Sequence, residues 1–167
     1  MRFTDFTLNE ALQKAIRGMG YDEPTPIQVE AIPPALQGRD IVGGAQTGTG
    51  KTLAFLLPAL ERLLQDHRTA RGPRAVVLEP TRELVIQVTG EARKLTMGTK
   101  LHVVSVYGGT SIKAQAGKLR RGADVIVATP GRLMDHMRRG NVDFRNLQVL
   151  VLDEADRMLD MGFLPDI

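Results

Sequence analysis

The apolar positions follow two different rhythms along the chain. Leu8, Leu12, Ala15 and Ile16 recur at helical spacing, so a first helix is expected there, capped by Thr7 or Asn9 and closed by Gly18 and Gly20. Pro24-Thr25-Pro26 forces an extended turn, since each proline pushes its predecessor out of the helical region. Ile27 to Ile32 then reads as a short helix broken at Pro33-Pro34. Beyond this point short unbroken apolar runs alternate with amphipathic ones. Asp40-Ile41-Val42, Arg74 to Leu78, Leu101 to Val106, Asp124 to Val127 and Val149 to Leu152 are predicted strands, the last extending back to Leu147. The intervening helices are expected over about Gly50 to Leu64, Glu83 to Leu95, Ile112 to Leu119 and Arg132 to Met137, with Pro58 kinking the first or ending its first part. Strands without polar alternation imply a mostly parallel sheet covered by helices on both faces, an α/β fold in which ligands gather at the carboxyl ends of the strands.

Composition narrows the chemistry. At 167 residues, with 43% hydrophobic and 25% charged positions, the chain fits one ordinary domain with a core, not two. Aromatics are only 4% and Trp is absent, which leaves the core to aliphatic side chains. The absence of Cys excludes disulfides and thiolate metal sites, and three dispersed His do not make a metal cluster. A net charge of +3 permits a polyanionic partner without demanding one. No apolar run approaches the roughly 18 residues needed to cross a bilayer, and no signal peptide opens the chain, so a cytoplasmic protein without a membrane partner is expected.

After the Ile41-Val42 run comes Ala45-Gln46-Thr47-Gly48-Thr49-Gly50-Lys51-Thr52. Glycines between a strand and a helix let backbone N–H groups turn inward around a phosphate, and the helix adds its positive end. Lys51 is placed to reach the β- and γ-phosphates, and the Thr52 hydroxyl to ligate Mg²⁺. The strict pattern has Gly where Ala45 stands; the plain alternative is a flexible glycine-rich loop. About a hundred residues on, an apolar run enters Asp153-Glu154-Ala155-Asp156. A phosphate loop needs a carboxylate for its metal, usually through water, and a second to orient or deprotonate the attacking water, which suits Asp153 and Glu154 respectively. The alternative is an acidic cap on the helix through Met158 and Leu159. The two motifs together imply phosphoryl transfer.

The ordered set resembles the amino-terminal RecA-like domain of DEAD-box ATP-dependent RNA helicases, over the whole chain. The loop beginning with Ala45 is that family's P-loop form, and Asp153-Glu154-Ala155-Asp156 is the box that names it. Phe3, Gly20-Tyr21, Pro24 and Ile27-Gln28 resemble its adenine-reading Q motif, Pro80-Thr81-Arg82-Glu83-Leu84 motif Ia, Gly108-Gly109 its glycine doublet, and Thr129-Pro130-Gly131-Arg132 motif Ib. The resemblance implies ATP and Mg²⁺ as cofactors. Adenine would meet Tyr21, Thr25 and Gln28, and the phosphates Ala45 through Thr52 (Ala45, Gln46, Thr47, Gly48, Thr49, Gly50, Lys51, Thr52). Gln28 offers both amide groups to the N6 and N7 edge of adenine, and Tyr21 a stacking face. Phe3 is expected to pack against the fold.

RNA, single-stranded or a short duplex, would be held mainly through its backbone by Thr81, Arg82, Gly109, Thr129, Gly131 and Arg132, on the edge shared with the nucleotide. Helix capping by Thr81 and Thr129 is nearly as good a reading of the sequence alone. Arg120-Arg121, Arg138, Arg139 and Arg145 are better read as solvated charge than as an extension of that surface. Asp156 is assigned in the family to linking the two sites. Val85, where the family has a small Ala, is a packing change. Residues 1–38 are expected to form the Q-motif region and 39–167 a partial RecA-like domain, truncated after the DEAD box. The Ser-Ala-Thr motif and the second RecA-like domain, source of an arginine finger, are missing. Such a chain is expected to bind adenine nucleotide weakly and not to unwind. Without the strand ahead of Ser-Ala-Thr, two unpaired sheet edges are expected, with strand exchange or self-association. The rival readings are a generic P-loop ATPase or nucleotide kinase without nucleic acid, and a nucleotide-gated RNA-binding module without productive hydrolysis.

Overall fold

A computed structural model describes residues 1–67 and 72–167. Its contacts divide the chain into two units: 1–67 with 91–100, and 72–90 with 101–167.

The first unit is helical among its described residues. A 3₁₀ turn over Phe3–Asp5 buries Phe3, whose ring meets Phe6 edge-on at 5.9 Å. Helix α1 (Glu10–Gly18) starts at Asn9, whose side chain accepts from the Ala11 N–H, and buries Leu12 and Ile16. Helix α2 (Pro26–Leu36) does not break at Pro33-Pro34. It runs two residues past them, to Leu36, although proline removes two N–H donors; the Pro33 and Pro34 carbonyls still accept, both from Gln37 and the latter also from Arg39, where the helix ends. Helix α3 (Lys51–Gln65) likewise continues through Pro58, burying an almost complete apolar surface from Leu53 to Leu63.

The predicted strand at Asp40–Val42 does not form. A strand exists only by pairing, and the first unit has no other strand among its described residues. Val42 stands fully exposed at 104% relative accessibility.

The second unit carries the sheet. Strands β1 (Ala75–Leu78), β2 (Val103–Val106), β3 (Val125–Ala128) and β4 (Val149–Leu152) lie in the order β2-β3-β1-β4, all pairs parallel. Each connection passes through a helix: α4 (Arg82–Thr96), α5 (Ile112–Arg121) and α6 (Pro130–Arg138); α7 (Ala155–Asp160) follows β4. Residues 82–90 of α4 count with this unit and 91–96 with the first. On one face Val76, Leu78, Val104, Val106, Ile126 and Ala128 pack with Leu119, Leu133 and Met158 from α5, α6 and α7.

Coverage is incomplete at β4, where Leu150 and Leu152 are 53% and 39% exposed. Among the described residues one long side of β4 is unpaired. With Asp40–Val42 not a strand, the sheet shows one open edge at this end rather than the two expected.

At the amino ends of the strands Asp124 is the clamp. It accepts from an Arg74 guanidinium nitrogen at 3.1 Å through one oxygen and from the His102 N–H at 2.8 Å through the other. The Asp124 carbonyl takes the Arg74 and Ala75 N–H groups, and the Arg74 carbonyl takes those of Gln148 and Val149. All four strand starts are thereby tied together. Since Arg74 is 6% exposed, Asp124→Ala should cost about 2–4 kcal/mol in denaturant unfolding and Asp124→Asn distinctly less.

Candidate functional site

In the first unit the proposed adenine and phosphate residues meet at the start of α3. Gly50 is the residue before the helix, at φ 87°, in the left-handed region. A Cβ there would lie 2.5 Å from Gln28 Nε2 and 2.9 Å from Thr25 Oγ1, so the position demands glycine twice over. Gln28 is 2% exposed; its Oε1 accepts from the Thr25 N–H at 2.9 Å and its Nε2 donates to the Gly50 carbonyl at 3.0 Å. One amide hydrogen and one lone pair remain beyond these bonds. The Thr25 hydroxyl is buried with no hydrogen-bond partner, an orphan polar atom beside the loop.

The loop itself, Ala45 to Thr49, is largely exposed and held by the Thr49 hydroxyl donating to the Gln46 carbonyl at 2.6 Å. No side chain caps α3, whose first two residues are Lys51 and Thr52. An uncapped 15-residue helix behind a glycine turn, with an ammonium and a hydroxyl in its first turn, fits a magnesium-bound polyphosphate. Tyr21 is 41% exposed and free to stack, whereas Phe3 is core.

In the second unit, ladder bonds continue past the carboxyl ends of the strands. Thr129 N–H donates to the Val106 carbonyl at 3.0 Å, Glu79 to Ala128 at 2.9 Å and Asp153 to Leu78 at 3.1 Å. The loops after β2, β3, β1 and β4 are therefore lined up along one edge. Asp153 Oδ1 accepts from the Glu154 N–H at 3.0 Å, and Glu154 sits at φ 52°, ψ 45°. It is the one non-glycine residue with positive φ among those described, a conformation costing about 1–2 kcal/mol for a side chain with a Cβ. Asp156 is exposed in the first turn of α7, its Oδ1 accepting from the Arg157 N–H.

The residues assigned to RNA gather in the same unit. Arg82, exposed at the start of α4, lays its guanidinium 5.1 Å over the Tyr107 ring. Gly109, at φ 80°, would bring a Cβ within 3.4 Å of Arg82 NH1. Arg132 NH1 donates to the Thr110 carbonyl at 3.0 Å and to Gln115 Oε1 at 3.1 Å. The capping alternatives separate: Thr81 Oγ1 accepts from the Leu84 N–H, but Thr129 makes no side-chain cap, so its hydroxyl is left for other work. Gly131 is exposed with open space where a Cβ would stand. Arg139 and Arg145 are exposed and paired with Asp135 and Asp143, each at 3.0 Å. Val85 is fully buried, in keeping with a packing role.

Sequence reasoning missed Gln115 and His136. Both are polar side chains on otherwise apolar helix faces, beside Ala116 and Leu119 and beside Leu133. That placement was the available signal. Gln115 Oε1 already accepts from Arg132, so His136 Nε2 must donate to it at 3.0 Å, and Nδ1 then accepts from Asn141 Nδ2 at 3.1 Å. Burial and the nearby Arg132 hold the His136 pKa below its ordinary 6.5, with Arg139 adding to this and Asp135 opposing.

The arrangement is that of a RecA-like α/β domain, with a glycine-turned helix start in one unit and aligned strand-end loops in the other. A solved structure described as a hypothetical ATP-dependent RNA helicase from Sulfolobus tokodaii superposes with TM-score 0.85 and 41% identity, covering 95% of this chain and 45% of that one. The chain belongs to the DEAD/DEAH box helicase family, whose model matches residues 25–167. The ATP-dependent RNA helicase SrmB of Escherichia coli is 48% identical over 166 residues, 99% of this chain and 37% of its own length. The probable ATP-dependent RNA helicase DDX46 of Danio rerio is 48% identical over 158 residues, 92% of this chain and 16% of its own. The chain thus spans less than half the length of each of these proteins.

Two outcomes are expected from these geometries. Glu154→Gly should unfold about 1 kcal/mol later than Glu154→Ala, a gain of roughly 2–4 °C in Tm, because both lose the carboxylate and only glycine sheds the strain. Since the folded His136 favours its neutral form, its contribution is present above the unfolded pKa and lost as pH falls through the lower folded one. Unfolding free energy should accordingly drop more steeply from pH 7 toward 5 in the wild type than in His136→Gln.

Proposed function

We propose that the chain is the nucleotide-binding, RNA-contacting portion of an ATP-dependent RNA helicase. The observation that carries this reading is the Thr25–Gln28–Gly50 cluster, where the residues offered to the base are bonded to the carbonyl that opens the phosphate-loop helix. Adenine recognition and phosphate binding are then one connected structure. Gln28 and Tyr21 take the base, the backbone from Ala45 to Gly50 wraps the phosphates, and Lys51 neutralises the outer ones. In the first unit Thr52 would offer its hydroxyl to Mg²⁺; in the second, Asp153 would be the carboxylate for the metal and Glu154 the one for the attacking water. Bound Mg²⁺ supplies charge neutralisation on the transferring phosphoryl group. Few protein ligands suit that ion, which keeps much of its water.

RNA is engaged by the second unit through Thr81, Arg82, Gly109, Thr129, Gly131 and Arg132. Backbone N–H groups and two arginines address phosphate and sugar, which predicts little sequence preference. Unwinding belongs to a longer polypeptide; the 167-residue chain binds adenine nucleotide and RNA weakly and turns over negligibly. The open side of β4, with Leu150 and Leu152 bare, supports strand pairing between copies of this chain at high concentration.

The experiment is a pair of variants on two ligands. Lys51→Ala should lose adenine nucleotide about tenfold or more while leaving RNA affinity near the wild type. Arg132→Ala should do the reverse and flatten the salt dependence of RNA binding. Nucleotide binding with no salt-sensitive RNA binding at all would favour the generic P-loop ATPase. RNA-stimulated hydrolysis by this chain on its own would overturn the account of its inactivity.

A further inference from the structure

We infer that Gln115 is a positioning residue for the RNA surface, its buried amide locking Arg132 and the Tyr107–Thr110 loop into one arrangement. The inference rests on the RNA reading above. Gln115 lies in the middle of α5 and is 6% exposed. Its amide makes four hydrogen bonds. Nε2 donates to the Tyr107 carbonyl at 2.8 Å and to Thr110 Oγ1 at 2.9 Å, and Oε1 accepts from Arg132 NH1 and His136 Nε2. Two hydrogens and two lone pairs are all such an amide has, so the group is saturated.

Its partners come from two elements, the loop after β2 and helix α6. Arg132 NH1 closes the link by donating to the Thr110 carbonyl, and Arg82 rests on the Tyr107 ring in the same loop. Both arginines assigned to RNA therefore bear on a loop that Gln115 holds. Only NH1 of Arg132 is spent on this anchoring, and the rest of its fork stays available for a phosphate. His136, fixed by Asn141 on its other nitrogen, keeps the Gln115 amide from rotating. A guanidinium fixed beforehand loses less freedom on meeting RNA, and that saving is what the Gln115 amide contributes.

The test uses the folded 167-residue chain, a fluorescent single-stranded oligouridylate of about ten nucleotides at low salt, and a fluorescent ADP analogue as control. Gln115→Met keeps the length and removes all four bonds. Its RNA affinity should fall about fivefold or more while ADP-analogue affinity holds within about twofold. The loss should be clearly smaller when Arg132 is already Ala, as a double-mutant cycle reads, the remainder passing through the loop under Arg82. Imidazole ¹⁵N spectra should show His136 protonated at Nε2 in the wild type and altered in Gln115→Met. Gln115→Glu, which keeps the acceptor for Arg132 and loses the donors to the loop, should fall between, and it decides the matter if Gln115→Met does not fold. Wild-type RNA affinity in Gln115→Met, or a penalty that adds in full to Arg132→Ala, overturns the inference. RNA binding indifferent to both Arg132→Ala and salt overturns the RNA reading instead.

Discussion

Four strands running the same way place every carboxyl end on one edge, and the chemistry of the second unit depends on that polarity. The parallel ladder does not stop where the strands do. It continues for one more bond at Thr129, Glu79 and Asp153, so each loop leaves the sheet in register with its neighbour. Residues distant in sequence are thereby delivered side by side, with Asp124 and Arg74 securing the opposite ends.

Around this frame polar side chains are few and heavily used. Gln28 in the first unit and Gln115 in the second are both buried amides joining segments distant in sequence. A buried amide is stabilising only when its bonds are met and is costly otherwise, which makes such links geometrically exacting. Gly50 accompanies Gln28 because the chain passes too close to it for a Cβ, and Gly109 lies near Arg82 at a positive φ that suits glycine. Glu154 is the exception among the described residues: it adopts the left-handed conformation with a side chain attached.

Much of the fold was legible in the chain. Runs such as Val76-Val77-Leu78 and Val125-Ile126-Val127 announce buried parallel strands, and the helices between them fall within a few residues of their predicted bounds. Local rules failed where tertiary context outweighed them. Pro33-Pro34 and Pro58 sit inside helices despite their missing N–H donors, and the apolar faces of those helices are buried at Ile32 and from Leu53 to Leu63. Asp40–Val42 has the composition of a strand and no ladder to join.

The sequence by itself determined which residues are the candidates for the chemistry. Glycine turns, the Lys51-Thr52 pair and the Asp153-Glu154 pair are local patterns whose logic needs no neighbours. What only the tertiary structure decided is how remote polar groups are spent: Gln28 on Gly50, Gln115 on Arg132 and His136, Thr81 on its own helix and Thr129 on none. A hydrogen bond needs its partner within about 3 Å, and no spacing rule along the chain specifies which distant group will be there.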